Sequence, residues 1–125
     1  MDKGWEKKMC VELLRELEIM ENNDFSNETL NFQTYRLLKK ALITFLTEKH
    51  EEIGYLNTTL VDLSFAAIKY NIEIVKFIDL VQSLEKYKFR PEELAQVKDD
   101  VKRAKELVLI LFNQIIIEEK NRIKY

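Results

Sequence analysis

Apolar residues recur every three or four positions along most of the chain, which is the period of an α-helix that buries one side. The first apolar stripe predicts a helix from about Gly4 to Glu21, and it consists of Trp5, Met9, Leu13, Leu17 and Met20. The segment ENNDFSN, residues 21–27, then breaks the pattern, because Asn, Asp and Ser side chains compete for backbone hydrogen bonds. Either Ser26 or Asn27 can cap the helix that follows.

The second stripe predicts a helix from about Glu28 to Ile53, with Asn31 as a point where it can break. Its inner face is predicted to consist of Tyr35, Leu38, Ala41, Leu42, Phe45 and Leu46. Gly54 is a natural stop, since glycine adopts the left-handed conformation that ends many helices.

A third helix is predicted to begin at Thr59, whose spacing to Asp62 matches a capping box. Its inward row is Leu60, Leu63, Ala67 and Tyr70, widened by Phe65 and Ile68. Asn71 is expected to interrupt it, so that a fourth helix covers Ile72 to about Tyr87; one helix from Thr59 to Tyr87 is the alternative. The inward residues of the fourth helix are predicted to be Ile74, Phe77, Ile78, Val81 and Leu84.

The last predicted helix begins at Pro91, because the first helical position does not need the N–H that proline lacks. Its apolar residues alternate steps of three and four and form a heptad seam of Leu94, Val97, Val101, Ala104, Val108, Leu111 and Ile115. Neither Gly nor Pro occurs after Pro91, so this helix is predicted to be the longest.

The stretch LVLILFNQIII, residues 107–117, is apolar except for Asn113 and Gln114. On the side of the helix away from the seam, it carries a back face that consists of Leu109, Ile110, Ile116 and Ile117. A helix that is apolar all round must be covered all round. Either this helix is the centre of the bundle, or its back face is an interface with a second copy or another protein. If that face is buried, Asn113 needs hydrogen-bond partners there.

The composition favours one globular all-α domain over residues 1–125, built as a compact bundle or array of four to five helices. Apolar residues make up 46% and charged residues 34%, and two Gly and one Pro are too few for a turn-rich β fold. A net charge of −2 gives no overall attraction to nucleic acid. The eleven-residue run 107–117 is too short to span a bilayer, and residues 1–20 lack an apolar signal core, so we expect a cytoplasmic protein.

The residues that carry most enzyme chemistry are scarce in this sequence. One His and one Cys cannot build a Cys/His zinc site, and the two glycines are isolated, so no phosphate-binding loop is present. His50, within EKHEE, is interpreted as part of a solvated helix end, and Cys10 as a packed core residue. We therefore predict no enzyme activity, no cofactor and no metal.

Two functions fit this pattern. The first is a non-catalytic protein–protein interaction or assembly subunit that self-associates through the last helix. The expected interface residues are Leu109, Ile110, Asn113, Ile116 and Ile117. The alternative is a small accessory subunit of a nucleic-acid-processing complex, in which EKYKFR, residues 85–90, supplies Lys86, Lys88 and Arg90 for phosphates and Tyr87 for base stacking. Because of the net charge, nucleic acid is expected only as a partner of the whole complex.

Overall fold

The computed structural model describes the backbone of residues 4–49, 58–89 and 97–123, and the side chains of residues 8–49, 58–86 and 98–113. These residues form α1 (Gly4–Asn22), α2 (Asn27–Glu48), α3 (Leu60–Ile68), a 3₁₀ helix (Ile72–Phe77), α4 (Ile78–Phe89) and α5 (Val97–Ile123). The predicted all-α class is therefore confirmed. With 27 residues, α5 is the longest of the described helices.

The turn between α1 and α2 is closed by polar side chains, as the sequence predicts. Asn23 donates its side-chain amide to the Ile19 carbonyl at 2.7 Å, which satisfies one free carbonyl at the end of α1. Ser26 is the N-cap of α2, and its hydroxyl oxygen accepts a hydrogen bond from the Thr29 N–H at 3.2 Å. The helix continues through Asn31, which does not break it.

The predicted end of the second helix is wrong, because α2 ends at Glu48 and not near Ile53. The Lys49 N–H donates to the carbonyls of Phe45 and Leu46, so the last turn tightens and the helix closes there. Hydrophobic spacing cannot report this, since it marks which side of a helix is buried and not where the helix stops. Gly54 and His50 lie outside the described residues.

The predicted interruption at Asn71 is confirmed, and it is caused by side-chain capping. Thr59 accepts a hydrogen bond from the Asp62 N–H at 3.1 Å and starts α3, while Asn71 accepts one from the Glu73 N–H at 3.0 Å and starts the 3₁₀ helix. The first six residues of the predicted fourth helix are thus 3₁₀ and not α. Side chains three apart eclipse each other in this helix, so Ile74 and Phe77 share its buried side.

The core lies around α2, which contacts each of the other four α-helices. The predicted inner face of α2 is buried, apart from the half-buried Tyr35. Core side chains from the other helices include Leu13, Leu17, Leu60, Leu63, Ile74, Val81, Leu84, Leu107 and Phe112. One predicted inward residue, Phe65, is 54% exposed. It follows Leu63 by two positions, about 200° around the helix, and so lies on the opposite side.

The buried side of α5 is broader than the heptad seam. Val101, Ala104, Val108 and Leu111 are buried as predicted, and Leu107 and Phe112 are buried beside them. The helix lies mainly against α1 and α2 and also contacts the 3₁₀ helix and α4. Leu94 and the side chains of Val97 and Ile115 lie outside the described part of the chain.

Candidate functional site

The two described residues of the predicted back face differ in their surroundings. Leu109 is 40% exposed, whereas Ile110 is half-buried and packs against the core. Asn113 is exposed, so its amide is free to bond with water. The side chains of Ile116 and Ile117 lie outside the described residues. The outward side of α5 over residues 98–113 is otherwise polar, and it carries Lys98, Asp99, Lys102 and Glu106.

The two flanks of α5 are fixed by ion pairs to different neighbours. Lys105 lies 3.6 Å from the Glu21 carboxylate of α1. Leu109 follows Lys105 by four positions, so it lies near the flank that carries Lys105. Ile110 follows Arg103 by seven positions, or two turns, and therefore lies on the flank that carries Arg103. Ile110 therefore packs partly against the core, whereas Leu109 is exposed.

Arg103 fastens α5 to the junction between the 3₁₀ helix and α4. Its Nη1 donates to Asp79 Oδ2 at 2.6 Å, and its Nη2 donates to Asp79 Oδ1 at 2.8 Å and to the Lys76 carbonyl at 2.7 Å. The guanidinium carbon also lies 5.6 Å from the centre of the Phe77 ring. This hydrogen bonding lowers the pKa of the Asp79 carboxyl and raises the pKa of Arg103.

Asp100 is a buried carboxyl one turn before Arg103. Only 8% of the residue is exposed, and its Oδ2 atom has no hydrogen-bond partner. Burial raises its pKa to about 6, with smaller contributions from the negative charges of Asp99 and Asp79, while Arg103 acts in the opposite direction. Sequence reasoning missed this residue, because an aspartate next to Asp99 near the start of a helix is expected in solvent.

A second polar contact joins three helices through Glu85 of α4. Glu85 Oε1 accepts hydrogen bonds from the Tyr35 hydroxyl of α2, at 3.3 Å, and from the Leu60 N–H at the start of α3. Burial, followed by the nearby Glu85 charge, raises the pKa of Tyr35. The contact caps α3 and links it to α2 and α4.

An apolar groove opens between the end of α1 and the first half of α2. It has a volume of about 410 Å³ and is lined by Glu16, Ile19, Met20, Phe25, Thr29, Gln33, Arg36 and Leu37. Ile19 and Phe25 are exposed within it, and Arg36 lies 3.8 Å from Glu16 at its rim. Arg36 also donates to Gln33 at 2.9 Å, so the two charged residues at the rim, Arg36 and Glu16, both have partners within the chain.

The residues of the nucleic-acid alternative are described only in part. Lys86 is exposed on α4, while the side chains of Tyr87 and Lys88 and the whole of Arg90 lie outside the described residues.

The predicted packing of Cys10 is confirmed, since it is a buried core residue and burial raises the pKa of its thiol. Over the described side chains, no cluster of three or more His, Cys, Asp or Glu is arranged to hold a metal ion. None of the helices, as far as they are described, is both long and apolar enough to cross a membrane.

No protein-family model matches the chain, and searches of curated proteins and of solved structures also find no match. Function must therefore be inferred from the residues of this chain.

Proposed function

We propose that the protein is a non-catalytic helical interaction or assembly subunit that self-associates through α5. The observation that carries this proposal is the exposure of Leu109 on the outward side of the longest described helix. Large apolar side chains on a protein surface are characteristic of interfaces when they belong to a continuous apolar patch. The sequence provides such continuity, because Ile116 and Ile117 follow Leu109 at seven and eight positions.

A long helix is well suited to pairing with a second copy of itself. The backbone of α5 remains helical through Ile123, so positions 109, 113 and 116 recur on one side of it. An asparagine between apolar residues favours one register of two paired helices, because its amide must meet a hydrogen-bond partner. We therefore assign Asn113 the role of fixing register and Leu109 the role of apolar contact.

Burial of Leu109 alone does not provide enough free energy for two chains to associate. Covering the exposed part of one leucine contributes on the order of 1 kcal/mol. Association costs at least about 4 kcal/mol in lost translational and rotational freedom. The interface therefore depends on Ile116 and Ile117 as well, with Ile110 contributing only its exposed part because it already packs against the core.

The burial and raised pKa of the Cys10 thiol support the proposal that the protein is not catalytic. A buried cysteine with a raised pKa holds little of the thiolate form that acts as a nucleophile.

Light scattering over a range of concentrations tests the proposal. We expect the wild-type protein to show a mass above the 15.0 kDa of one chain, and Leu109→Glu to shift it toward 15.0 kDa. Burying the new carboxylate in an interface without a partner is costly, whereas it is well hydrated in the monomer.

Phe65→Glu is the matched control, because Phe65 is also a large exposed apolar residue but lies on α3. We expect this variant to keep the wild-type mass, and circular dichroism should show that both variants remain helical. A wild-type protein that stays monomeric at all concentrations would overturn the proposal. An equal loss of mass in both variants would place the interface elsewhere.

A further inference from the structure

We propose that Asp79 and Asp100 are alternative partners for Arg103, and that the proton on Asp100 decides which of them Arg103 binds. Independently of any partner protein, this would make the attachment of α5 to the rest of the molecule sensitive to pH.

The observed arrangement suits a protonated Asp100. Both terminal nitrogens of Arg103 are engaged, with two hydrogen bonds to Asp79 and one to the Lys76 carbonyl. Asp100 Oδ2 is buried without any hydrogen-bond partner. A carboxylate oxygen that is buried without a partner is unfavourable when the group is charged, so this environment favours the neutral form of Asp100.

Ionisation of Asp100 changes which partner is better for Arg103. The two residues are three positions apart on α5, a spacing at which side chains meet. The side chain of Asp79 is 70% exposed, so water can hydrate this carboxylate if Arg103 leaves it. Water cannot hydrate the buried Asp100 carboxylate in this way. Pairing with the guanidinium therefore stabilises an ionised Asp100 by more than the loss of the pair destabilises Asp79.

The change of partner by Arg103 would weaken the contact between α5 and the 3₁₀ helix. When Arg103 turns toward Asp100, the Lys76 carbonyl loses its donor and the Phe77 ring loses its cation contact. Both contacts join α5 to the 3₁₀ helix. The expected result at higher pH is therefore a freer 3₁₀ helix and first turn of α4, with the α1–α2–α5 core intact.

The charges that act on Asp100 belong to α5 and α4. Asp99 and Arg103 lie on its own helix, and Asp79 projects from α4. The two negative charges oppose its ionisation, and so does burial, which is the largest effect and raises the pKa to about 6. The folded state thus keeps a proton that the unfolded chain loses at about pH 4, so stability falls as pH rises from 4 through 6 and levels off above it.

The first test compares unfolding by urea at pH 4.5 and pH 7.5 in the wild type and in Asp100→Asn. Relative to the variant, we expect the wild-type folding constant to fall by at most about thirtyfold across this interval. Asp99→Asn is the control, because it removes a charge from the exposed neighbouring residue and should leave most of the fall in place. A fall of equal size in the wild type and Asp100→Asn would overturn the proposal.

The second test addresses the exchange of partners. The lowered pKa of Asp79 keeps it ionised from pH 5 to pH 8, so its own charge does not change. If Arg103 leaves Asp79 when Asp100 ionises, Asp79→Asn should reduce the folding constant at pH 5 and have a smaller effect at pH 8. Equal reductions at both pH values would show that Arg103 stays on Asp79, and the exchange would be refuted.

The third test uses the unmodified protein and remains informative if a variant does not fold. The ¹³C chemical shift of the Asp100 carboxyl should titrate with a midpoint between pH 4.5 and about pH 6, because burial raises the midpoint and binding of Arg103 to the ionised carboxylate lowers it. The Arg103 side-chain ¹⁵N signals should shift over the same interval. A carboxyl midpoint below pH 4.5 would overturn the proposal, and so would Arg103 signals that do not follow it.

Discussion

At the scale of single residues, burial decides what the reactive and polar groups of this protein can do. Cys10 and Asp100 are both buried, and both hold their protons more tightly as a result. The burial of Cys10 could be predicted, since it follows an apolar stripe residue and cysteine is a buried residue type. The burial of Asp100 could not be predicted, because aspartate is a residue type that is usually exposed to solvent.

The Cys10 thiol should react slowly with an aromatic disulfide reagent at pH 8. We expect the native protein to react at least about tenfold more slowly than the protein in urea, because the thiolate is scarce and the sulfur is covered. The release of the coloured thiolate measures both rates.

A variant that combines Cys10→Ser with Val11→Cys is the matched control for this prediction. It moves the thiol by one position, to a site that is 54% exposed in the wild type. This variant should react at nearly the same rate with and without urea. A native wild-type protein that reacts as fast as the unfolded chain would show that Cys10 is accessible.

Buried polar residues set a limit on sequence-based prediction at this scale. The side-chain oxygens Asn31 Oδ1 and Thr34 Oγ1 are buried and have no hydrogen-bond partner. Helical spacing alone puts both residues on the inner side of α2, three positions apart. Asparagine also favours turns and helix ends, which is why the sequence points to Asn31 as a possible break in the helix.

At the scale of elements, the start of α2 depends on one side chain. Ser26→Ala removes the acceptor for the Thr29 N–H, and we expect a loss of about 0.5–2 kcal/mol in the free energy of unfolding. Urea denaturation measures this loss. Ser26→Asn should restore most of it, because asparagine is an equally good N-cap. Equal stability of Ser26→Ala and the wild type would show that the cap does not contribute.

The sequence indicates where the segment Ile72–Phe77 begins, but it does not indicate that this segment is a 3₁₀ helix and not an α-helix. Asn71 marks the start of the 3₁₀ helix in the sequence, because a capping side chain has a recognisable pattern. The spacing of Ile74 and Phe77 does not distinguish 3₁₀ from α, since both helices place residues three apart on nearly the same side. Packing of the short segment against α3, α4 and α5 accompanies the tighter winding.

At the scale of the whole molecule, α2 holds the other helices together. Leu42 is fully buried on this helix, so Leu42→Ala should lower the free energy of unfolding by about 2–5 kcal/mol. Because every other α-helix contacts α2, we expect one cooperative transition, with far-UV and near-UV circular dichroism changing together.

Val11→Ala is the control for the core prediction, since it trims an exposed apolar side chain. Its effect should stay within about 0.5 kcal/mol of the wild type. Separate far-UV and near-UV midpoints in Leu42→Ala would contradict the central role of α2, because they would show that part of the molecule unfolds by itself.

The helical periods thus predicted the class of the fold and most of its core, but contacts between distant parts of the chain could not be predicted. Glu85 bonds to Tyr35, which is 50 residues away, and to Leu60, which is 25 residues away. Nothing in the local pattern of a polar residue on α4 indicates either partner. The difference between the exposed Leu109 and the half-buried Ile110 has the same origin, since it depends on which distant residues pack beside each of them.

The cap that Glu85 provides also sets an order of events in folding. Nine residues are too few for α3 to persist as an isolated helix in water. Thr59 caps its first turn from within the segment, but the Leu60 N–H is paired with Glu85 only when α4 has folded back. We therefore expect α3 to become stable when α4 packs against it, and the two helices should become protected from hydrogen exchange in the same step.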